Sequence, residues 1–171
     1  MSAAQTRPET TRYRSRYLKL KSVLHDRATG YPAIPVLLEQ LRAQLDGRRS
    51  IGVLHVSLDN LALVESLYGW QVLDGVLCRI GLEIREACGE ELPKETLLAI
   101  NAVAGDSFAV FVIERTDGRE VDAGSMRSSG DALRGRLQAA LADDEFSGLG
   151  PQLNVRVGHA LLSRNPFYRF E

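Results

Sequence analysis

Asp106, His55, Ser57, Trp70 and Asp74 are the side chains in this 171-residue chain whose types and surroundings point to chemistry. Asp106 stands in Ala104-Gly105-Asp106-Ser107, a short polar break between two apolar runs within residues 97–112. Those runs are rich in β-branched and aromatic residues, so the segment has the pattern of a β-hairpin. Gly105 lets the backbone take a positive φ or approach a ligand closely, and Asp106 puts a carboxylate at the end of a buried ribbon. Gly-Asp is equally the ordinary chemistry of a hairpin tip, so its meaning depends on its neighbours. Residues 51–58, Ile-Gly-Val-Leu-His-Val-Ser-Leu, carry His55 and Ser57 on one face, because strand side chains alternate. His55 reads either as a ligand, better suited to zinc or manganese than to magnesium, or as an imidazole hydrogen-bonded to a neighbour. Trp70 offers a plane on which a purine could stack, or a ring packed over a helix junction.

The elements that must position these residues follow from hydrophobic spacing. Residues 1–16 are polar and read as a tail or linker. From Arg7 to Lys21 the charge is locally positive, and Tyr13, Tyr17, Leu20 and Leu24 recur at helical spacing. That segment is either a surface meeting a membrane or an upstream module, or a solvated helix leading into the domain. Asp26-Arg27-Ala28-Thr29-Gly30-Tyr31-Pro32 is a turn. Ile34, Leu37, Leu38, Leu41 and Leu45 then predict a helix ended by Asp46-Gly47. Residues 51–58 are apolar on both faces, as a central strand requires.

Asp59-Asn60 offers an N-cap for a short helix through Leu67, broken at Tyr68-Gly69-Trp70. A longer helix from Gln71 to about Cys88 repeats Val72, Val76, Ile80 and Ile84, with Leu73, Leu77 and Leu82 widening the stripe. After the hairpin, residues 115–129 read as a loop or a loosely held helix start, and residues 130–141 as a helix through Leu133, Leu137 and Leu141. Residues 153–162 alternate as a last strand, with Asn154, Arg156, Gly158 and Ala160 on the face opposite Leu153, Val155, Val157 and His159. The order predicts a mixed α/β (α+β) layer, with helices packed on a mainly antiparallel sheet.

Composition bounds the function. At 44% hydrophobic and 25% charged residues the chain reads as one ordinary soluble globular domain. A formal charge of -1 and a pI near 6.3 give no global attraction to nucleic acid or anionic lipid. No apolar run is long enough to span a bilayer and the N-terminus lacks a signal-peptide core, so a cytoplasmic location is the expectation. Cys78 and Cys88 form no Cys-x-x-Cys pair and read as small apolar helix residues.

Four segments in order, covering about residues 25–160, resemble the GGDEF domain, the diguanylate cyclase module of bacterial signalling. Residues 26–32 are similar to the family's Asp-x-Leu-Thr-Gly-Leu-x opening. Val56-Ser57-Leu58-Asp59 and Tyr68-Gly69-Trp70-Gln71-Val72-Leu73-Asp74 resemble the strand and helix segments Asp-x-Asp-x-Phe-Lys-x-x-Asn-Asp-x-x-Gly-His-x-x-Gly-Asp. Ala104-Gly105-Asp106-Ser107-Phe108 falls where Gly-Gly-Asp/Glu-Glu-Phe belongs. The resemblance implies a palm-like, nucleotidyl-cyclase fold that holds GTP and two divalent metals over the sheet, two domains facing each other to make cyclic di-GMP. Hard Mg²⁺ prefers carboxylate and phosphate oxygen, and two metals clamp the attacking and leaving oxygens.

Residue by residue, the match is degenerate. Asp106 retains the hairpin acid, but the strand carboxylate is Ser57, the following family Glu is Ser107, and the first Gly is Ala104. The guanine-reading Asn is Glu65, while the second guanine-reading position keeps Asp74. The helix-start Lys is Ala62, the His after Gly69 is Trp70, and Glu95-Thr96-Leu97-Leu98 replaces the Arg-x-x-Asp inhibitory site. The expected nucleotide contacts are therefore Asp74, Gly105 and Trp70, with Asp106 the surviving metal ligand and Mg²⁺ or Mn²⁺ expected only with bound nucleotide. Asp74 reads equally as a cap on a helix turn. Family members continue into a helix whose Lys and Arg hold the triphosphate; the stop at Glu171 makes a truncated chain the expectation, with residues 17–171 forming the domain and its linker helix.

The function this implies is a catalytically inactive regulatory, nucleotide-sensing or dimerisation module, whose partners are a guanine nucleotide, neighbouring domains or a second copy. The alternatives are an active diguanylate cyclase with unusual metal ligands, and a ligand-free interaction scaffold.

Overall fold

The computed structural model describes residues 24–101, 107–142, 148–149 and 153–163. In chain order they form α1 (Ile34–Asp46), β1 (Ser50–Leu58), α2 (Leu61–Tyr68), α3 (Trp70–Ala87), β2 (Leu97–Ile100), β3 (Ser107–Val112), α4 (Ala123–Leu141) and β4 (Val155–Ser163). The strands make one sheet in the order β2-β3-β1-β4, every neighbouring pair antiparallel. β2 and β3 are the two arms of the expected hairpin, while its tip and the basic N-terminal segment lie outside the described residues.

β1 is apolar on both sides because helices cover both sides of the sheet. Leu54, Val56 and Leu58 join Phe108, Val110 and Val112 beneath α3 and α4, which contribute Val76, Ile80, Ile84, Leu133 and Leu137. On the other side Ile51 and Val53 join Ala99, Ala109 and Phe111 beneath Leu37 and Leu41 of α1. Among the described residues that second cover is incomplete. Beyond it, towards β4, His55, Arg156, Gly158, Ala160 and Leu162 are exposed and Ser57 is half-buried.

The two covering helices are tied together by charge. Arg136 of α4 reaches Glu83 at 2.9 Å and Glu86 at 3.2 Å on α3, and Glu90 and Glu91 in the loop that follows. Glu83 is buried at 7% exposure and also meets Arg79 at 3.0 Å, so its charge is paired from two directions. At Gly52 the approach of α4 leaves no room for a side chain: a Cβ would stand 2.2 Å from Met126 Sδ and 2.9 Å from Val121 Cγ1.

Several boundaries and faces differ from the sequence reading. α4 starts at Ala123, well before Gly130, because Asp122 and Ser125 form a capping box, each side chain bonded to the other's backbone N–H at 2.9 and 3.1 Å. Leu82 is 46% exposed rather than part of the buried stripe. Two residues beyond Ile80 is about 200° around a helix, which turns Leu82 away from the sheet. Cys78 lies two residues before Ile80 and is exposed for the same reason, its thiol donating to the Ala28 carbonyl at 3.2 Å. Cys88 is the C-cap of α3 and not a residue inside it. Asn60 occupies the N-cap of α2 in the left-handed conformation, φ 63°, with no side-chain cap bond. Asparagine tolerates that region, so the residue makes the turn rather than the cap.

Candidate functional site

The end of β1 delivers its polar residues to the uncovered part of the sheet. Ser57 is in register with Ser107 of β3 on one side and Arg156 of β4 on the other. Directly opposed residues on one face have Cβ atoms about 4.5–5.5 Å apart, so Ser57 has a hydroxyl-bearing residue on one flank and an arginine on the other. Ser107 is buried at 4% exposure, and His55 stands two residues back along the same face.

Asp59 leaves the strand on this face as well. Its backbone N–H donates to the Asn154 carbonyl at 2.9 Å, extending the β1–β4 pairing by a residue. Its carboxylate accepts Arg156 Nε–H at 2.6 Å and Asn154 Nδ2–H at 3.4 Å. The Arg156 side chain is 69% exposed and that of Asp59 24%, so the pair contributes only about 0–1 kcal/mol to stability. What the pair decides is local charge: the carboxylate nearest Ser57 along the chain already faces a cation.

The other candidate residues lie at the α2–α3 corner. Gly69, at φ 88°, turns the chain between the helices, a backbone state that costs glycine little. Trp70 opens α3 and is 62% exposed, so packing over the junction does not occupy its ring. Asp74 is exposed one turn later, inside α3 and not at its cap. Burial chiefly, and then the charges of Asp74 and Asp26, push the Cys78 thiol above its usual range. Asp26 in turn holds residues 26–32 as a turn, accepting Thr29 N–H at 2.7 Å and Thr29 Oγ1–H at 2.8 Å. Tyr31 anchors that turn to α3 by donating to the Gly81 carbonyl. Its ring meets Phe108 edge-on at 5.8 Å and lies beneath Arg85 at 5.0 Å. Burial outweighs the nearby Arg85 charge and pushes the Tyr31 phenol up to about 12.

The structure thus sets Ser57 between Ser107 and Arg156, and carries Trp70 and Asp74 one turn apart at the start of α3. Gly105 and Asp106 lie outside the described residues. A pair of divalent metals needs converging carboxylates. Among the described residues no group of three or more His, Cys, Asp or Glu is placed to hold a metal ion. With Ser57 neutral and Asp59 bonded to Arg156, the described part of the site does not fit such a pair. Arg156 is a neighbour of Ser57 that the sequence reading does not single out. Alternation sets it on the face of the last strand opposite Leu153 and Val155, but nothing local indicates which strand lies beside it.

No family model and no curated protein matches the chain. Solved structures do match. The GGDEF domain of DgcB from Caulobacter crescentus, in complex with c-di-GMP, aligns at TM-score 0.60 and 16% identity, covering 84% of this chain and 78% of that one. The FimX GGDEF domain from Pseudomonas aeruginosa aligns at TM-score 0.58 and 18% identity, over 82% and 80%. A variant of TpbB (YfiN) from the same organism comprising only the GGDEF domain aligns at TM-score 0.56 and 23% identity, over 80% and 74%. At such identities the likeness is one of fold, and on that ground the chain is a domain of GGDEF fold, with a four-stranded antiparallel sheet flanked by helices.

Proposed function

We propose that the chain is a degenerate member of the GGDEF family, catalytically silent, acting as a regulatory, nucleotide-sensing or dimerisation module in cyclic-di-GMP-type signalling. The observation that carries the reading is Ser57. At the strand position that resembles the metal-binding carboxylate it supplies a neutral hydroxyl, set between Ser107 and Arg156. Bound divalent metals would activate the attacking oxygen and stabilise the leaving one. The residues described here can bind and orient a ligand: Trp70 presents a plane for a base, and Asp74 an acceptor one turn away on the same helix. Gly105 and Asp106 belong to the proposed ligand site through their place in the hairpin sequence.

Among the described residues no helix is long and apolar enough to cross a membrane. A cytoplasmic location, neighbouring domains in a longer signalling protein and a second copy as partner belong to the same proposal.

Incubation with GTP and Mg²⁺ or Mn²⁺, followed by chromatography, tests it. The expected result is no cyclic di-GMP above background; turnover at the rate of an intact cyclase overturns the silent reading in favour of an active enzyme with unusual ligands. A titration of melting temperature against GTP and cyclic di-GMP then separates a sensor from a scaffold, since a ligand that binds only the folded state raises that temperature.

A further inference from the structure

We infer that Arg156 stands in for a divalent cation at this site, so that the open face between β1 and β4 takes a polyphosphate group without metal. The inference deepens the proposed function and rests on the GGDEF fold, but not on catalytic silence. A guanidinium carries a fixed charge that no chelator removes, and its planar fork matches phosphate oxygens. Arg156 uses Nε–H on Asp59, which orients the group, while its two Nη groups make no bond among the described residues. Ser57 lies beside it in register on β1, with the buried Ser107 on the far side of Ser57, and Asn154 shares Asp59 as an acceptor. A metal would instead require Asp59 to exchange Arg156 for the ion, leaving the guanidinium pressed against a like charge.

The geometry also explains why Ser57 belongs with Arg156. An aspartate at position 57 would draw the guanidinium away from Asp59 and neutralise the donors that face outward. A serine leaves them free and adds a donor of its own.

The test uses inorganic tripolyphosphate and GTP in calorimetric titrations of the full chain, with EDTA and then with Mg²⁺. The inference expects binding in EDTA that Mg²⁺ does not strengthen, reduced about tenfold or more in Arg156→Ala, as loss of charge-assisted hydrogen bonds predicts. Arg156 is exposed on an edge strand, so the variant is expected to fold; circular dichroism confirms this before titration. Binding that appears only with Mg²⁺, no binding at all, or an Arg156→Ala variant that binds as well as the parent each overturns it. Mn²⁺ alone, followed by electron paramagnetic resonance, gives an independent reading: tight Mn²⁺ uptake by the parent chain sinks the inference whether or not cyclic di-GMP is made. Cyclic di-GMP production with metal-independent tripolyphosphate binding would instead end only the silent reading.

Discussion

Within a few residues of β1, Leu54 and Val56 are fully buried beneath α3 and α4, while on the opposite side His55 is exposed and Ser57 half-buried. The covered side draws on both large helices, whereas α1 shields only the β2, β3 and early β1 part of the other side. One strand therefore serves two purposes through its two-residue period. Its even-numbered side chains supply cohesion, and its odd-numbered ones, past the reach of α1, present polar groups to solvent. Where a strand passes out from under a helix, polar residues lose their desolvation penalty and become free to bind.

The contrast predicts a steep gradient in mutational cost. Phe108→Ala, on the covered side, is expected to lower unfolding free energy by about 3–5 kcal/mol in urea or guanidinium titration. A cost below about 1 kcal/mol would mean that stability does not reside beneath α3 and α4. Gly52→Ala inserts a methyl group against Met126 and Val121 and is expected to cost about 1–3 kcal/mol by the same measurement; a neutral outcome would show that α4 can lift from β1 at little expense.

The covered side also has a signature at high pH. The Tyr31 pKa is raised from 10.0 to about 12 in the folded chain, so the unfolded state gives up its proton first. The resulting stability is complete below pH 10 and lost as pH rises through about 12. Phenolate absorbance and unfolding followed together in an alkaline titration should change in step, and early ionisation without unfolding would contradict burial at this turn. Arg136→Ala leaves Glu83 with Arg79 alone and is expected to cost about 1–3 kcal/mol, with the helix–helix layer loosening first in hydrogen exchange.

At the far end of the gradient, Ser57→Ala should change stability by less than about 0.5 kcal/mol. A large loss there would show that the open face is structural after all, and the comparison between the two sides of β1 would collapse.

The helices and strands were legible because burial imposes period. Val76, Ile80 and Ile84 on α3, and Leu133 and Leu137 on α4, recur at four-residue spacing and are fully buried. The ends of elements were less legible. Of the seven additional residues at the start of α4 all but Met126 are polar or small, and the Asp122–Ser125 capping box marks where the helix begins. Leu82 and Cys78 show the limit of composition, since an apolar type was read as buried although helical angle turns both outward.

By itself the sequence determined the order of elements, the sides of β1 and β4 on which each residue falls, and the neutral hydroxyl that Ser57 places at the end of β1, because local spacing and residue identity carry all three. Only the tertiary structure decided that Arg156 lies opposite Ser57 and bonds Asp59 across 97 positions of sequence. Strand order is set by how distant apolar faces share a core, and no local pattern encodes which polar residues that packing makes neighbours.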